Sequence, residues 1–83
     1  DVMAAETIRV CDVMHKKVPD DIKIVGFDDV YISTLTSPSI TTIHQPVEAM
    51  CKYAIDNIKK MMYEEVAPSR VVLPVTLIKR ESA

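Results

Sequence analysis

The sequence predicts an α/β fold in which helices alternate with strands of a parallel sheet, in the order helix, strand, short helix, strand, helix, strand. Three observations predict it. Apolar positions recur at three- and four-residue steps from Asp1 to Lys17 and again from Pro46 to Val66, as amphipathic helices require. Between them, Ile22 to Phe27 is an almost unbroken apolar run bounded by turn residues, which suits a strand covered on both faces. Finally, the two kinds of element alternate along the chain, the order that builds parallel layered folds.

In the first helix Met3, Ala4, Ile8, Val10, Cys11 and Met14 form the apolar stripe, with Glu6, Arg9, Asp12 and Lys16 between them. Its basic end, His15-Lys16-Lys17, complements the helix dipole and reads as a solvated face, not a phosphate site. Pro19-Asp20 then opens a turn. The strand that follows holds Gly26, the only glycine in the chain, placed near its end, where close backbone approach is needed just before Phe27-Asp28-Asp29. Val30, Tyr31, Ile32 and Leu35 make one or two helical turns. Eight of the ten residues from Ser33 to Thr42 are Ser, Thr or Pro, which predicts a loop around Pro38 feeding an extended segment, Ile40 to His44.

Pro46 stands at a first-turn position of the clearest helix, with Glu48 close behind. Val47, Met50, Cys51, Ala54, Ile58, Met61 and Met62 form its stripe, Glu48 with Lys52 and Asp56 with Lys60 make i,i+4 pairs, and Pro68 ends it. Val71 to Lys79 is β-branched and apolar. Pro74 in its middle makes it an edge strand or a crossover that changes direction. Lys79 to Ala83 reads as a polar tail and a natural C-terminus.

Eighty-three residues allow one small domain, and a chain of that length buries only about 60 to 65 % of its unfolded surface. Yet hydrophobic residues make up 48 % of it, with one Phe, three Tyr and no Trp. So much aliphatic and methionine-rich material predicts a piece of something larger, whose apolar faces meet partners outside these residues. The net charge of −2 excludes a clustered basic surface for nucleic acid within this stretch. No 18-residue apolar run and no charged-then-apolar leader occur, so nothing within these residues is expected to span a membrane or direct export, and sequence upstream could still hold a leader. Cys11 and Cys51 lie on apolar faces and read as buried thiols, which favours the cytoplasm.

Most catalytic chemistry is missing. One glycine cannot make a phosphate loop or a dinucleotide fingerprint, no serine sits on a strained elbow, and His15 and His44 show no metal-ligand spacing. An enzyme is therefore not expected, nor any cofactor or metal. Asp28 is the exception: a carboxylate at the carboxyl end of a buried strand can accept hydrogen bonds from ligand hydroxyls. The competing role is N-cap of the Val30 to Leu35 turn, open to Asp28 and Asp29 alike. The two can divide the work, with Asp28 facing ligand and Asp29 capping.

Three segments together resemble the effector-binding domain of the LacI/GalR family of bacterial transcription regulators. They are VPDDIKIVGFDD from Val18, PSITTIHQP from Pro38 and LPVTLIKRES from Leu73, and DVMA from Asp1 looks like the family's helix start. The resemblance implies the C-terminal part of a two-lobed, periplasmic-binding-protein-like domain with a three-layer parallel sheet. Residues 1–45 and 71–83 would lie in one lobe and 46–70 would cross to the other. A small effector, sugar-like, or a co-repressor would bind between the lobes, and a homodimer would meet operator DNA only through a domain outside this chain. The resemblance assigns effector contact to Asp28 and, near it, to Asp1, Gln45, Val47 and Met50. It assigns Ala5, Leu35 and Thr36 to the dimer surface. The rival it leaves is a fragment of a periplasmic sugar-binding protein of a transport system. Glu6, His15 and Cys51 stand where the family commonly has glycine, and His15 replaces the residue best suited to a left-handed helix end.

Overall fold

The computed structural model describes residues 1–83. The chain divides into two compact units, one formed by Asp1–Gln45 with Thr76–Ala83, the other by Pro46–Val75.

In the first unit α1 runs from Val2 to Val13 and buries Ala4, Ile8 and Cys11, one residue per turn on a single face. They meet Ile24 and the fully buried Ile40, with Ala5 and Val18 at the margin. The core is small and aliphatic. Met3, Val10 and Met14, expected in the stripe, are exposed. Three residues decide how α1 ends. His15 takes φ 58°, its N–H donates to Asp12 O at 3.1 Å, and the Lys16 N–H reaches back to Cys11 O at 2.8 Å. That is the paired bonding of a Schellman end, here with histidine in glycine's place.

The turn at Pro19-Asp20 forms, and its side-chain partner is Asp21, whose carboxylate accepts from the Lys17 N–H at 2.8 Å. The stretch after it is extended but meets its neighbour through two parallel bridges, Val25 with Thr41 and Asp28 with His44. Gly26 N–H bonds Thr41 O and Asp28 N–H bonds Ile43 O, at 2.8 and 2.9 Å. Only Ile24 of the apolar run is buried; Ile22, Val25 and Phe27 are exposed. The expected cover on both faces is thus present on one, because α1 is the only helix of this unit long enough to lie along the strand.

The short helix α2 is the single turn Ile32–Leu35. Strand β1, Thr42–His44, is central: the Gly26 stretch lies parallel on one side and β2, Thr76–Ile78, lies antiparallel on the other, with Thr42 opposite Ile78 and His44 opposite Thr76. Pairing is therefore mixed: the chain leaves the first unit after Gln45 and returns at Thr76 as an antiparallel strand on the edge of the pair. The final residues are no tail. Ser82 is fully buried; its hydroxyl donates to Ile24 O at 2.6 Å and accepts from the Thr41 N–H at 2.8 Å, tying two strands together. Glu81 accepts from the Ser39 N–H and hydroxyl, which hold its carboxyl below the usual range.

In the second unit α3 spans Val47–Met62 with Pro46 at its N-cap, one position earlier than expected. It ends before Pro68, at Glu64, whose φ of 56° accompanies bonds from Glu64 N–H to Met61 O and Glu65 N–H to Lys60 O. Its apolar stripe buries nothing, and Cys51 is exposed where Cys11 is buried; both thiols are free. The pairs expected at Glu48–Lys52 and Asp56–Lys60 do not close; the helical ion pair that does is Glu6–Arg9 on α1. No helix is long and apolar enough to cross a membrane.

Candidate functional site

At the carboxyl end of the Gly26 stretch the backbone turns sharply. Asp28 and Asp29 have φ of 104° and 56°, a region that residues with a Cβ rarely occupy. The next amide, Val30 N–H, is caught at 2.7 Å by the carboxylate of Asp1, whose other oxygen accepts from the buried Thr42 hydroxyl at 2.6 Å. Asp1 reaches this position because residue 26 has no side chain: a Cβ there would collide with the Asp1 carboxylate. The close approach expected at Gly26 is real, and its beneficiary is Asp1. Both oxygens of Asp1 are thereby engaged within the chain.

Asp28 is exposed. Gln45, at the end of β1, donates from its side-chain amide to one Asp28 oxygen. No protein group bonds the other oxygen, and the Gln45 carbonyl carries no partner. The pair therefore presents an acceptor-only carboxylate beside an amide carbonyl, a combination that can take the hydrogens of adjacent hydroxyl groups.

Asp29 turns the other way. One oxygen meets the Arg80 guanidinium at 2.8 Å and the other the His44 Nδ1 at 2.9 Å. Arg80 also donates to the Ser33 hydroxyl at 2.9 Å and to Ile40 O at 3.1 Å. Ser33, fully buried, has one hydrogen to give, which goes to Val30 O at 2.7 Å or to Asp29 at 3.2 Å. Arg80 above all, with His44 and Ser33, holds the Asp29 carboxyl below its usual range against the opposing effect of burial. An ionised Asp29 only accepts, so the His44 Nδ1 carries the hydrogen. The expectation that Asp29 caps α2 is corrected: Tyr31 occupies the N-cap with no side-chain bond, and the Asp29 carboxylate is spent on the clamp. His44 is likewise not isolated.

Asp28, Gln45 and Asp1 thus belong to one corner of the first unit. Val47 and Met50 lie on α3 in the second, both exposed; Met50 lines a shallow hollow of about 260 Å³ with Tyr53, Ala54, Asn57, Val71 and Leu73. Leu35 is exposed, Ala5 packs at the edge of the core, and the Thr36 hydroxyl is buried without a partner. A groove of about 510 Å³ beside α1 is lined by Asp1, Met3, Thr7, Val25 and Phe27 and does not include Asp28. Arg80, Ser33 and Ser82 were not singled out by the sequence. Their signal is long-range: Arg80 lies 51 positions after Asp29, and only the strand order brings them together.

Residues 1–83 match the periplasmic binding protein-like domain family. The chain belongs to it. The LacI/GalR resemblance read from the motifs stands with it, since the relatives are regulators of that kind. A ribose operon repressor of Lactococcus lactis subsp. lactis is 34% identical over 83 residues, covering 99% of this chain. A periplasmic binding protein/LacI transcriptional regulator from Alkaliphilus metalliredigens, solved with D-xylulofuranose, superposes with a TM-score of 0.91 at 34% identity, covering 99% of this chain and 31% of that one. The lac repressor dimer bound to operator and the anti-inducer ONPF gives 0.90 at 29% identity, over 99% of this chain and 29% of that one. The chain spans about a quarter (25%) of the length of the Lactococcus relative.

Proposed function

We propose that this chain is the C-terminal part of a two-lobed effector-binding domain in a bacterial transcription regulator, and that a sugar-like effector is held at Asp28. The observation that carries the reading is the half-open Asp28–Gln45 pair at a strand end, where open α/β sheets take their ligands. A carboxylate accepting from vicinal hydroxyls suits a sugar, and the ribose and xylulofuranose of the relatives' names agree with that chemistry. Asp1 serves the same site as the buttress of its turn. Val47 and Met50 supply apolar wall from the crossing helix. Ala5, Leu35 and Thr36 lie on the surface that a second copy covers, and operator DNA is met by a separate domain outside these residues, in the cytoplasm. The protein is a regulator and not an enzyme; the effector acts by its differential affinity for two lobe arrangements.

Calorimetric titration of the full-length protein with D-ribose and D-xylulose tests this. Asp28→Asn weakens the binding of whichever sugar is taken by about 1.5 to 3 kcal/mol, the worth of hydrogen bonds to a charged group, or roughly 10- to 150-fold. Unchanged affinity in the variant refutes the assignment.

A further inference from the structure

Two consecutive non-glycine residues with positive φ are costly, and such conformations persist only where the surroundings over-determine them. At Asp28 and Asp29 the restraints can be counted. The Asp28 N–H is held by Ile43 O and the Val30 N–H by Asp1, which fix the turn at its two ends. Between those ends the Asp29 N–H makes a long bond to the Thr42 hydroxyl at 3.3 Å, the exposed Asp28 carboxylate accepts from Gln45, and the restraint with the most partners is the Asp29 carboxylate, gripped by Arg80, His44 and Ser33.

The three partners are not equal. The His44 side chain is 51% exposed, against 20% for Arg80, and Ser33 gives its one hydrogen at a shorter distance to Val30 O than to Asp29. Arg80 is fixed at several points. Its guanidinium donates to Asp29, Ser33 and Ile40 O, and its own N–H donates to the Thr41 hydroxyl at 2.8 Å. A planar fork anchored in this way holds its carboxylate in one orientation, which a single flexible ammonium does less well.

We propose that Arg80 is the positioning residue of the Asp28 site: acting through the Asp29 carboxylate, it holds the paired positive-φ backbone that sets the Asp28 carboxylate beside Gln45. Arg80 touches no ligand in this arrangement; it decides where Asp28 stands. The importance of that position rests on the reading of Asp28 as the effector contact, but the positioning itself is testable without any effector.

The experiment is a set of ligand-free crystal structures of the full-length protein carrying Arg80→Met, Arg80→Lys or Asp29→Asn. In Arg80→Met the φ of Asp28 leaves the positive region and the Asp28–Gln45 separation opens beyond hydrogen-bond reach, about 3.2 Å, while Ala4, Ile8 and Ile40 keep their packing. Arg80→Lys, which retains a cation for Asp29 without the planar fork, partly restores the approach of Asp28 to Gln45. A general structural role predicts neither the confinement of the change to residues 28 to 30 nor the rescue. Where Arg80→Met does not fold, Asp29→Asn gives the same reading, since it removes the charge that Arg80 grips and keeps the shape. Asp28 and Gln45 unmoved in whichever of these variants is solved overturns the proposal. Failure of the functional reading looks different: sugar affinity is then indifferent to Asp28→Asn while the Arg80 variants still displace Asp28.

Discussion

The two long helices of this chain are written in the same pattern and end in the same way, yet they fare oppositely. α1 buries Ala4, Ile8 and Cys11 against Ile24 and Ile40, whereas α3, four residues longer and with a regular apolar stripe, buries none of its residues. Amphipathic spacing therefore states a demand for cover and does not supply it. In the first unit the demand is met by two short extended segments threaded under α1. In the second, Met50, Ile58, Met61 and Met62 remain exposed, an apolar surface of the kind that meets a partner.

The sharpest way to break this contrast is to make the same substitution on both sides of it. In the 83-residue chain Ile40→Ala, at a fully buried position, costs about 2 to 5 kcal/mol, the range for emptying a packed aliphatic site. Ile58→Ala, at a position 56% exposed, changes stability by no more than about 0.5 kcal/mol. Denaturant unfolding of both variants, repeated in the full-length protein, measures the difference. A loss above about 1 kcal/mol at Ile58 in the longer protein reveals the surface that covers α3; equal losses in the short chain abolish the contrast.

What could be read from the residues alone follows the same division. Local signals were legible: helical periodicity, the Pro19 turn, the need for glycine at 26 and the carboxylate at the strand end all depend on a few neighbouring positions. The polar end of the first unit was not, because the bonds of His44, Arg80 and Ser82 that build it join residues from 15 to 58 positions apart. Arg80 and Ser82 look like solvated tail until β2 runs antiparallel to β1 and returns them to Asp29 and Ile24. His44 looked isolated for the same reason. Nor did the pattern tell how much of each stripe would be buried, since Val25 and Phe27 carry the same apolar character as Ile24 and differ only in what lies above them.

The polar end gives the second test, through acid. The folded-state pKa of Asp29 is depressed, chiefly by Arg80, so the folded state binds fewer protons than the unfolded one in that range. Its contribution is complete above the ordinary Asp pKa of about 3.9 and is lost as pH falls through the folded value. Asp29→Asn removes it, at a cost near neutrality of about 1.5 to 3 kcal/mol, and flattens that part of the acid limb. Glu6 and Glu81 are depressed too, so the limb does not vanish. Amide exchange localises the effect: protection at Asp28 to Val30 falls with pH in the parent and is already low in the variant, while α3 is indifferent. Loss of protection along α3 in Asp29→Asn would mean that the clamp supports both units.

The smallest effect probes what the helices share. Both end on a non-glycine residue with positive φ, His15 and Glu64, and both close the same pair of backbone bonds. Glycine relieves the Cβ strain there, so His15→Gly stabilises the chain by about 1 kcal/mol. If α3 unfolds together with the first unit, Glu64→Gly gains a similar amount. If exposed α3 melts on its own, the relief at Glu64 raises its helicity but leaves the unfolding midpoint of the first unit where it was. Urea titrations followed separately by helical signal and by Cys11 accessibility distinguish the two. Coincident shifts in both variants would show that the uncovered helix is still part of one cooperative structure.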